Sequence, residues 1–249
     1  MRKETVLTVA SNRGVARGTF EMVLTGDVSS ITAPGQFVNI ALDGRFLRRP
    51  ISVCDVNENS LTIVYKVQGQ GTEEMSHFLP GKELNVLSGL GNGFDTSKSG
   101  DAPLLIGGGV GAAPMFYLAR CLVKEGKKVN VILGFNTEDE IYYAENFAAL
   151  GANVHITTVD GSRGTKGFVT DAIAECGECS YIYTCGPEPM LRAVYNASEL
   201  TGQFSFEERM GCGFGACMGC TCETLYGAKR ICRDGPVLVK EEIKWPTRK

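Results

Sequence analysis

Four cysteines, Cys212, Cys217, Cys220 and Cys222, fall within eleven residues, and Cys232 follows ten residues later. Thiolates at that density bind metal. Cys212-x4-Cys217-x2-Cys220, with a further cysteine downstream, has the spacing by which a plant-type loop wraps thiolates around a 2Fe-2S cluster. Gly211, Gly213, Gly215 and Gly219 accompany them. Residues without a Cβ let backbone approach a cluster closely and aim amides at its sulfurs. Cys222 stands in C-x-C relation to Cys220, so two thiols compete for one coordination position. Cys212, Cys217, Cys220 and Cys232 are the expected ligands, and Cys222 a bystander. Buried free cysteines are the bland alternative, but these scatter with the periodicity of a core instead of crowding into a glycine loop. Zinc is the rival metal; its structural sites present paired C-x2-C knuckles, and only one occurs in this loop. Cys176-Gly-Glu-Cys179 precedes a strand of a different module and is read as incidental.

A second constellation is Gly107-Gly108-Gly109-Val110-Gly111-Ala-Ala-Pro114, which follows the apolar run Leu104-Leu-Ile. A strand that turns through glycines into a helix offers pyrophosphate oxygens the backbone N–H groups at the helix N-terminus, where the dipole favours negative charge. Pro114 suits an early helical position, where a missing N–H costs nothing. Taken alone, such a turn can equally be a tight corner of a parallel sheet. Cys185-Gly186-Pro187 closes a later strand and opens another helix at the same sheet edge, so the two turns can face one nucleotide. The end of the second strand reads Gly134-Phe135-Asn136, with Glu138 and Asp139 just beyond and no arginine present to hold a 2'-phosphate, which favours NAD.

Electron counting implies a third group. A nicotinamide delivers two electrons as hydride and a 2Fe-2S centre accepts one, so an intermediary must stand between them, and flavin is the usual one. Its expected seat is Arg49-Pro50-Ile51-Ser52 together with Val64, Tyr65, Lys66, Gly71 and Thr72. An arginine neutralises pyrophosphate, a serine hydroxyl and strand amides bond the flavin edge, and glycine with threonine meets phosphate. From the residues alone, these segments read equally well as a solvated strand end and a hairpin. His77 and His155 are the only histidines, and no Ser/His/Asp or paired-carboxylate constellation accompanies them, so neither is given a catalytic role.

The elements that must carry these residues change character along the chain. Residues 1–98 read as short alternating strands punctuated by Gly and Pro, as in an antiparallel β-barrel. Residues 99–203 alternate continuous apolar strands with helical stretches, including Gly167–Glu175, the pattern of a doubly wound parallel α/β domain. Residues 204–249 have little periodicity and too little apolar area to order themselves, so a cluster must order them as a small iron-sulfur module. At 249 residues, with 43% hydrophobic residues and a net charge of −3, the chain is long enough for three compact units and carries no electrostatic footprint for nucleic acid. No apolar run reaches a membrane span and no signal sequence opens the chain, so a cytoplasmic protein without membrane or nucleic-acid partners is expected.

Arg49-Pro50-Ile51-Ser52, Gly69-x-Gly71-Thr72, the glycine turn to Pro114 and Cys185-Gly186-Pro187 occur in the order of the ferredoxin reductase superfamily, which this chain resembles over nearly its whole length. The tail from Glu207-Glu-Arg-Met through the cysteine loop to Ile231-Cys232-Arg-Asp234-Gly235-Pro236, with Leu90–Phe94 and Gly164–Gly167, is similar to the electron-transfer subunits of class 1B dihydroorotate dehydrogenases. That resemblance implies FAD on Arg49 to Ser52, Val64 to Lys66, Gly71 and Thr72, and a 2Fe-2S cluster on Cys212, Cys217, Cys220 and Cys232. It also implies an FMN-containing catalytic subunit that oxidises dihydroorotate in pyrimidine synthesis, two copies of each chain, and electrons passing to NAD. Reductase subunits of hydrogenases or ferredoxin-dependent transhydrogenases rank second. A self-sufficient NADH-flavin reductase and a zinc-stabilised, non-enzymatic adaptor are the remaining readings.

Overall fold

The computed structural model describes residues 2–245, so residue 1 of the first expected segment and residues 246–249 of the last lie outside it. Six strands close an antiparallel barrel in the order β1-β2-β5-β4-β3-β6: β1 Lys3–Ala16, β2 Thr19–Thr25, β3 Phe37–Ile40, β4 Arg49–Asn57, β5 Ser60–Lys66 and β6 Glu83–Leu90. Helix α1, Gln70–Ser76, bridges β5 and β6. Alternate residues of these strands (Leu7, Val9, Met22, Leu24, Leu61, Ile63, Leu84, Val86) point inward and form one core with Met75 of α1. Closure leaves the barrel without an edge strand to protect.

The second unit is a sheet ordered β10-β9-β8-β7-β11-β12-β15, made from β7 Pro103–Gly108, β8 Asn130–Phe135, β9 Asn153–Thr158, β10 Thr165–Lys166, β11 Tyr181–Cys185, β12 Gly202–Ser205 and β15 Val237–Val239. All pairs are parallel except the last, in which β15 runs antiparallel to β12. Leu105, Val131, Leu133 and Tyr183 pack on one face with α2 (Ala112–Lys124) and α3 (Ala144–Ala149). Leu104, Ile106, Ile132 and Ile182 pack on the other with α4 (Glu188–Ala197) and the turn Val169–Cys176. Strands apolar on both sides are what such a two-faced sheet requires. The stretch expected as a helix over Gly167–Glu175 is a 3-10 helix. No helix among the described residues is long and apolar enough to cross a membrane.

The cysteine-rich tail adds a hairpin of β13 (Thr221–Thr224) and β14 (Gly227–Arg230), then the short helix α5 (Ile231–Asp234). Cys220, Ile231, Cys232 and Leu238 are buried in the same core as Phe204 and Leu191, so the tail is ordered partly by the α/β sheet it extends.

Candidate functional site

The start of β4 and the end of β5 lie on the side of the barrel that faces the sheet. Arg49, Pro50, Ile51, Ser52, Val64, Tyr65, Lys66 and Thr72 line one cleft of about 260 Å³. Gly71 lies behind it: a Cβ there would overlap the Arg49 guanidinium, with its Cζ only 2.8 Å away, so the missing side chain is what lets this arginine reach the cleft. The Tyr65 hydroxyl donates to Asn12 Oδ1 at 2.9 Å and its ring stacks on Phe20, which fixes this strand end; burial pushes the phenol up to about 12. Thr72 turns its hydroxyl to the Gln68 and Gly69 amides at 3.0 and 3.3 Å and so shapes the loop before α1. The Arg49 guanidinium, strand segments 49–52 and 64–66 that do not pair with each other, and apolar Phe37, Val110 and Pro114 fit a flavin dinucleotide.

A second cleft of about 570 Å³ opens at the carboxyl ends of the parallel strands, lined by Gly108, Gly109, Val110, Gly134, Asn136, Thr157 and Pro187 among others. The glycines expected to touch nucleotide divide by role. Gly108, Gly109 and Pro187 face this cleft, whereas Gly111, Pro114 and Cys185 face the first one. Gly107 and Gly186 line neither and allow close packing instead. A Cβ on Gly107 would sit 2.6 Å from Ala112 Cα, and one on Gly186 would sit 2.6 Å from Met190 Cε. The two turns do meet, since a Cβ on Gly111 would lie 2.6 Å from the Cys185 carbonyl carbon. Backbone amides converging at the start of α2 fit a nucleotide pyrophosphate.

Lys66, Gln68, Val110 and Glu207 line both clefts, so the two are neighbours across a shared wall. Sequence reading missed the ionic lock at this junction. Glu140, nearly buried, takes an ion pair from Lys66 at 3.0 Å and one from Arg17 at 3.1 Å, and Asn136 Nδ2 donates to it at 2.9 Å. Burial opposes its charge, but the hydrogen bonds from Lys66 and Asn136 outweigh it and hold the carboxyl down at about 2. Arg17 also pairs with Asp139 at 3.3 Å. The expectation that no arginine stands at the end of the second strand is therefore corrected: the turn between β1 and β2 brings Arg17 there from 120 residues away, where two carboxylates already engage it. Glu207 reaches the junction from beyond β12; the residue is exposed at the cleft mouth, and partial desolvation there pushes its pKa up. No local motif signals Glu140, since its charged partners Lys66 and Arg17 are distant in sequence, whereas Glu207 opens the tail motif that leads into the cysteine loop.

The wall of the first cleft continues through Phe206, Glu207, Glu208 and Met210 into the cysteine loop. There the amides of Ala216, Phe214 and Cys217 point at Cys212 Sγ at 3.2, 3.5 and 3.5 Å. Against the desolvation of its sulfur, these amides bring the Cys212 thiol down to about 6, as a thiolate ligand needs. The Gly219 amide points likewise at Cys217 Sγ at 3.5 Å, and the Cys232 amide at Cys220 Sγ at 3.4 Å. Cys212 neighbours Cys217 and Cys232 neighbours Cys220, with Cys212 also near enough to act on Cys232; burial, followed by the adjacent Cys220, pushes Cys232 up to about 12. Among the described residues, no group of three or more His, Cys, Asp or Glu side chains is gathered around a single point. Two thiol pairs with amides aimed at their sulfurs fit a binuclear iron-sulfur group. Cys222 lies on β13 opposite Lys229, and burial and Glu208 raise its thiol. Cys176 and Cys179 lie at the far end of the sheet, where Asn130 Nδ2 approaches Cys179 Sγ at 3.8 Å. His77 bonds the Glu73 carbonyl and His155 faces Glu175; neither lines a cleft.

A barrel cleft for flavin, a strand-end cleft for nicotinamide and a thiolate loop on their common wall define a reductase of the ferredoxin reductase class. Residues 207–244 match the iron-sulfur cluster binding domain of dihydroorotate dehydrogenase B, and residues 105–196 match the oxidoreductase NAD-binding domain. The chain is 42% identical to the electron transfer subunit of NAD-dependent dihydroorotate dehydrogenase B from a Geobacillus strain, over 98% of this chain and 99% of that one, and 41% identical to its counterpart from Fusobacterium nucleatum over 95% and 97%. It belongs to the family of dihydroorotate dehydrogenase B electron transfer subunits. Among solved structures, an NADH-dependent reduced ferredoxin-NADP oxidoreductase superposes with a TM-score of 0.87 at 29% identity, over 97% of this chain and 90% of that one. Phthalate dioxygenase reductase shares the fold, with a TM-score of 0.63 at 22% identity over 78% of this chain and 64% of that one.

Proposed function

We propose that this chain carries electrons between NAD and an FMN-containing catalytic subunit that oxidises dihydroorotate in pyrimidine synthesis, the two chains assembling as two copies of each. The single observation that carries the reading is the continuity of the wall: one segment runs from the flavin cleft at Ser205 and Phe206 to the first thiolate at Cys212. FAD, when bound, converts between the hydride pair of a nicotinamide and the single electrons of a 2Fe-2S centre. Arg49 neutralises its pyrophosphate, while β4 from Pro50 to Ser52 and β5 from Val64 to Lys66 hold the ring edge, with Thr72 and Gly71 shaping the phosphate end. Gly108, Gly109 and Pro187 hold the nucleotide, with Gly107, Gly111, Pro114, Cys185 and Gly186 bringing the two turns together. Cys212, Cys217, Cys220 and Cys232 hold the irons; the burial of Cys220 against Cys232 favours it over Cys222.

Residues 1–98, 99–203 and 204–249 serve as flavin, nicotinamide and cluster segments. Exposed Phe214, Met218, Leu225 and Tyr226 offer the catalytic subunit an apolar surface near the loop. We place the assembly in the cytoplasm, where free thiols persist. Co-expression with a dihydroorotate-oxidising FMN protein tests the reading. Co-purification in equal amounts and dihydroorotate-dependent NAD reduction that needs both chains are expected. A chain that leaves that protein unbound and instead serves a ferredoxin-dependent transhydrogenase would overturn it, a reading favoured only by the NADH-dependent oxidoreductase structure.

A further inference from the structure

Two side chains of the barrel segment reach the cluster loop: exposed Arg2, whose Nη1 donates to the Phe214 carbonyl at 2.8 Å, and a buried amide on β3. Asn39 on β3 is buried to 1% exposure, and its Nδ2 donates to the Cys212 carbonyl at 3.4 Å, across 173 residues of sequence. On the same strand pair it stands opposite Pro50, one of the residues expected against flavin. The loop is shaped to receive it: Gly213 has φ +77, and a Cβ there would overlap the Asn39 amide, with Asn39 Cγ 3.2 Å away. The other end of the amide, Oδ1, is buried without a hydrogen-bond partner. A buried amide with half its capacity unmet is normally avoided, because desolvating a polar group costs free energy that only a partner recovers. The donor facing Cys212 also fixes the amide's orientation, since turning it over would set two oxygens against each other.

We propose that Asn39 is the buried positioning residue by which the flavin barrel holds the Cys212 end of the cluster loop, and that its donation to the Cys212 carbonyl sets the reduction potential of the cluster. The inference rests on the 2Fe-2S reading above. The Cys212 peptide opens the run whose next amides, from Phe214, Ala216 and Cys217, point at Cys212 Sγ. Pulling on that carbonyl therefore sets how those amides meet the sulfur. Hydrogen bonds to cluster sulfurs are a principal determinant of potential. The hydrogen bond from Asn39 goes to the Cys212 carbonyl and not to a ligand sulfur, so it acts through the loop.

The test is a redox titration of the full chain monitored by EPR, for wild type, Asn39→Asp and Asn39→Ala, with iron and FAD content measured alongside. Asn39→Asp faces the Cys212 carbonyl with an acceptor and adds negative charge, so the cluster becomes harder to reduce. The reduced-to-oxidised ratio at a fixed ambient potential should fall at least tenfold, about 59 mV for one electron. Asn39→Ala should shift the EPR g-values and leave FAD content unchanged. Loss of iron with FAD retained also supports the loop anchor. Unchanged potential and g-values in both variants, or joint loss of iron and FAD in both, overturn it. A wild-type protein without iron would sink the cluster reading itself, and is told apart by its own spectrum.

Discussion

Gly71→Ala separates the flavin cleft from the barrel that carries it. Gly71 is buried in α1 at a φ open to any residue, so alanine fits the backbone and favours the helix by roughly 0.5–1 kcal/mol. The new methyl would overlap the Arg49 side chain at Nε, with Nη2 at 2.8 Å. That obstacle is a flexible arginine, so the fold yields cheaply; what moves is the guanidinium that lines the cleft. A hydrogen bond to a charged group contributes about 1.5–3 kcal/mol, so displacing the guanidinium from a flavin pyrophosphate should weaken FAD binding about 10- to 150-fold. FAD titration of deflavinated protein, followed by flavin fluorescence, reads the affinity, and thermal unfolding of the flavin-free protein reads the fold. A second substitution, Arg49→Ala, should add little to Gly71→Ala, because both remove one interaction. FAD affinity within threefold of wild type, or a flavin-free protein that unfolds well below wild type, would refute the reasoning.

Three further outcomes follow from the same geometry. Cys220→Ser should lose the cluster while Cys222→Ser retains wild-type iron content, as measured by iron analysis and visible absorbance; the reverse pattern would reassign the third ligand. Glu140 has its carboxyl held well below the usual 4.5 by Lys66 and Asn136 despite burial, so its contribution is present above the unfolded value and is lost as pH falls from about 4.5 through about 2. Denaturation followed against pH should show Glu140→Gln less stable near neutrality, by up to about 3 kcal/mol, with the difference closing in acid. Gly111→Ala drives a methyl into the Cys185 backbone, which cannot yield as a side chain can; NADH reduction should slow by at least tenfold per bound FAD in stopped flow.

The parts legible in the sequence are those whose chemistry is local. Three ligand thiols with interleaved glycines, or a strand that turns through glycines to Pro114, carry their geometry within a dozen residues, and the alternation of Leu61, Ile63 and Tyr65 marks a barrel strand by period alone. The illegible parts are long-range. Arg17 and Glu140 meet across the barrel-sheet boundary, Asn39 meets Cys212 across 173 residues, and Val237–Val239 pairs with β12 only because the tail folds back onto the sheet. The glycines show the same limit. Spacing marks Gly107, Gly108 and Gly111 alike, but only the packed structure shows that Gly108 faces nucleotide space while Gly107 makes room for Ala112.

Anaerobic addition of excess NADH to the purified chain reaches furthest into the proposal that paired electrons enter at one cleft and leave singly through the thiolate loop. Flavin absorbance should bleach and the EPR spectrum of a reduced 2Fe-2S centre should rise in the same sample, toward one spin for each pair of irons bound. Bleaching of the flavin with the iron centre still oxidised, or iron reduced while the flavin is absent, would contradict it.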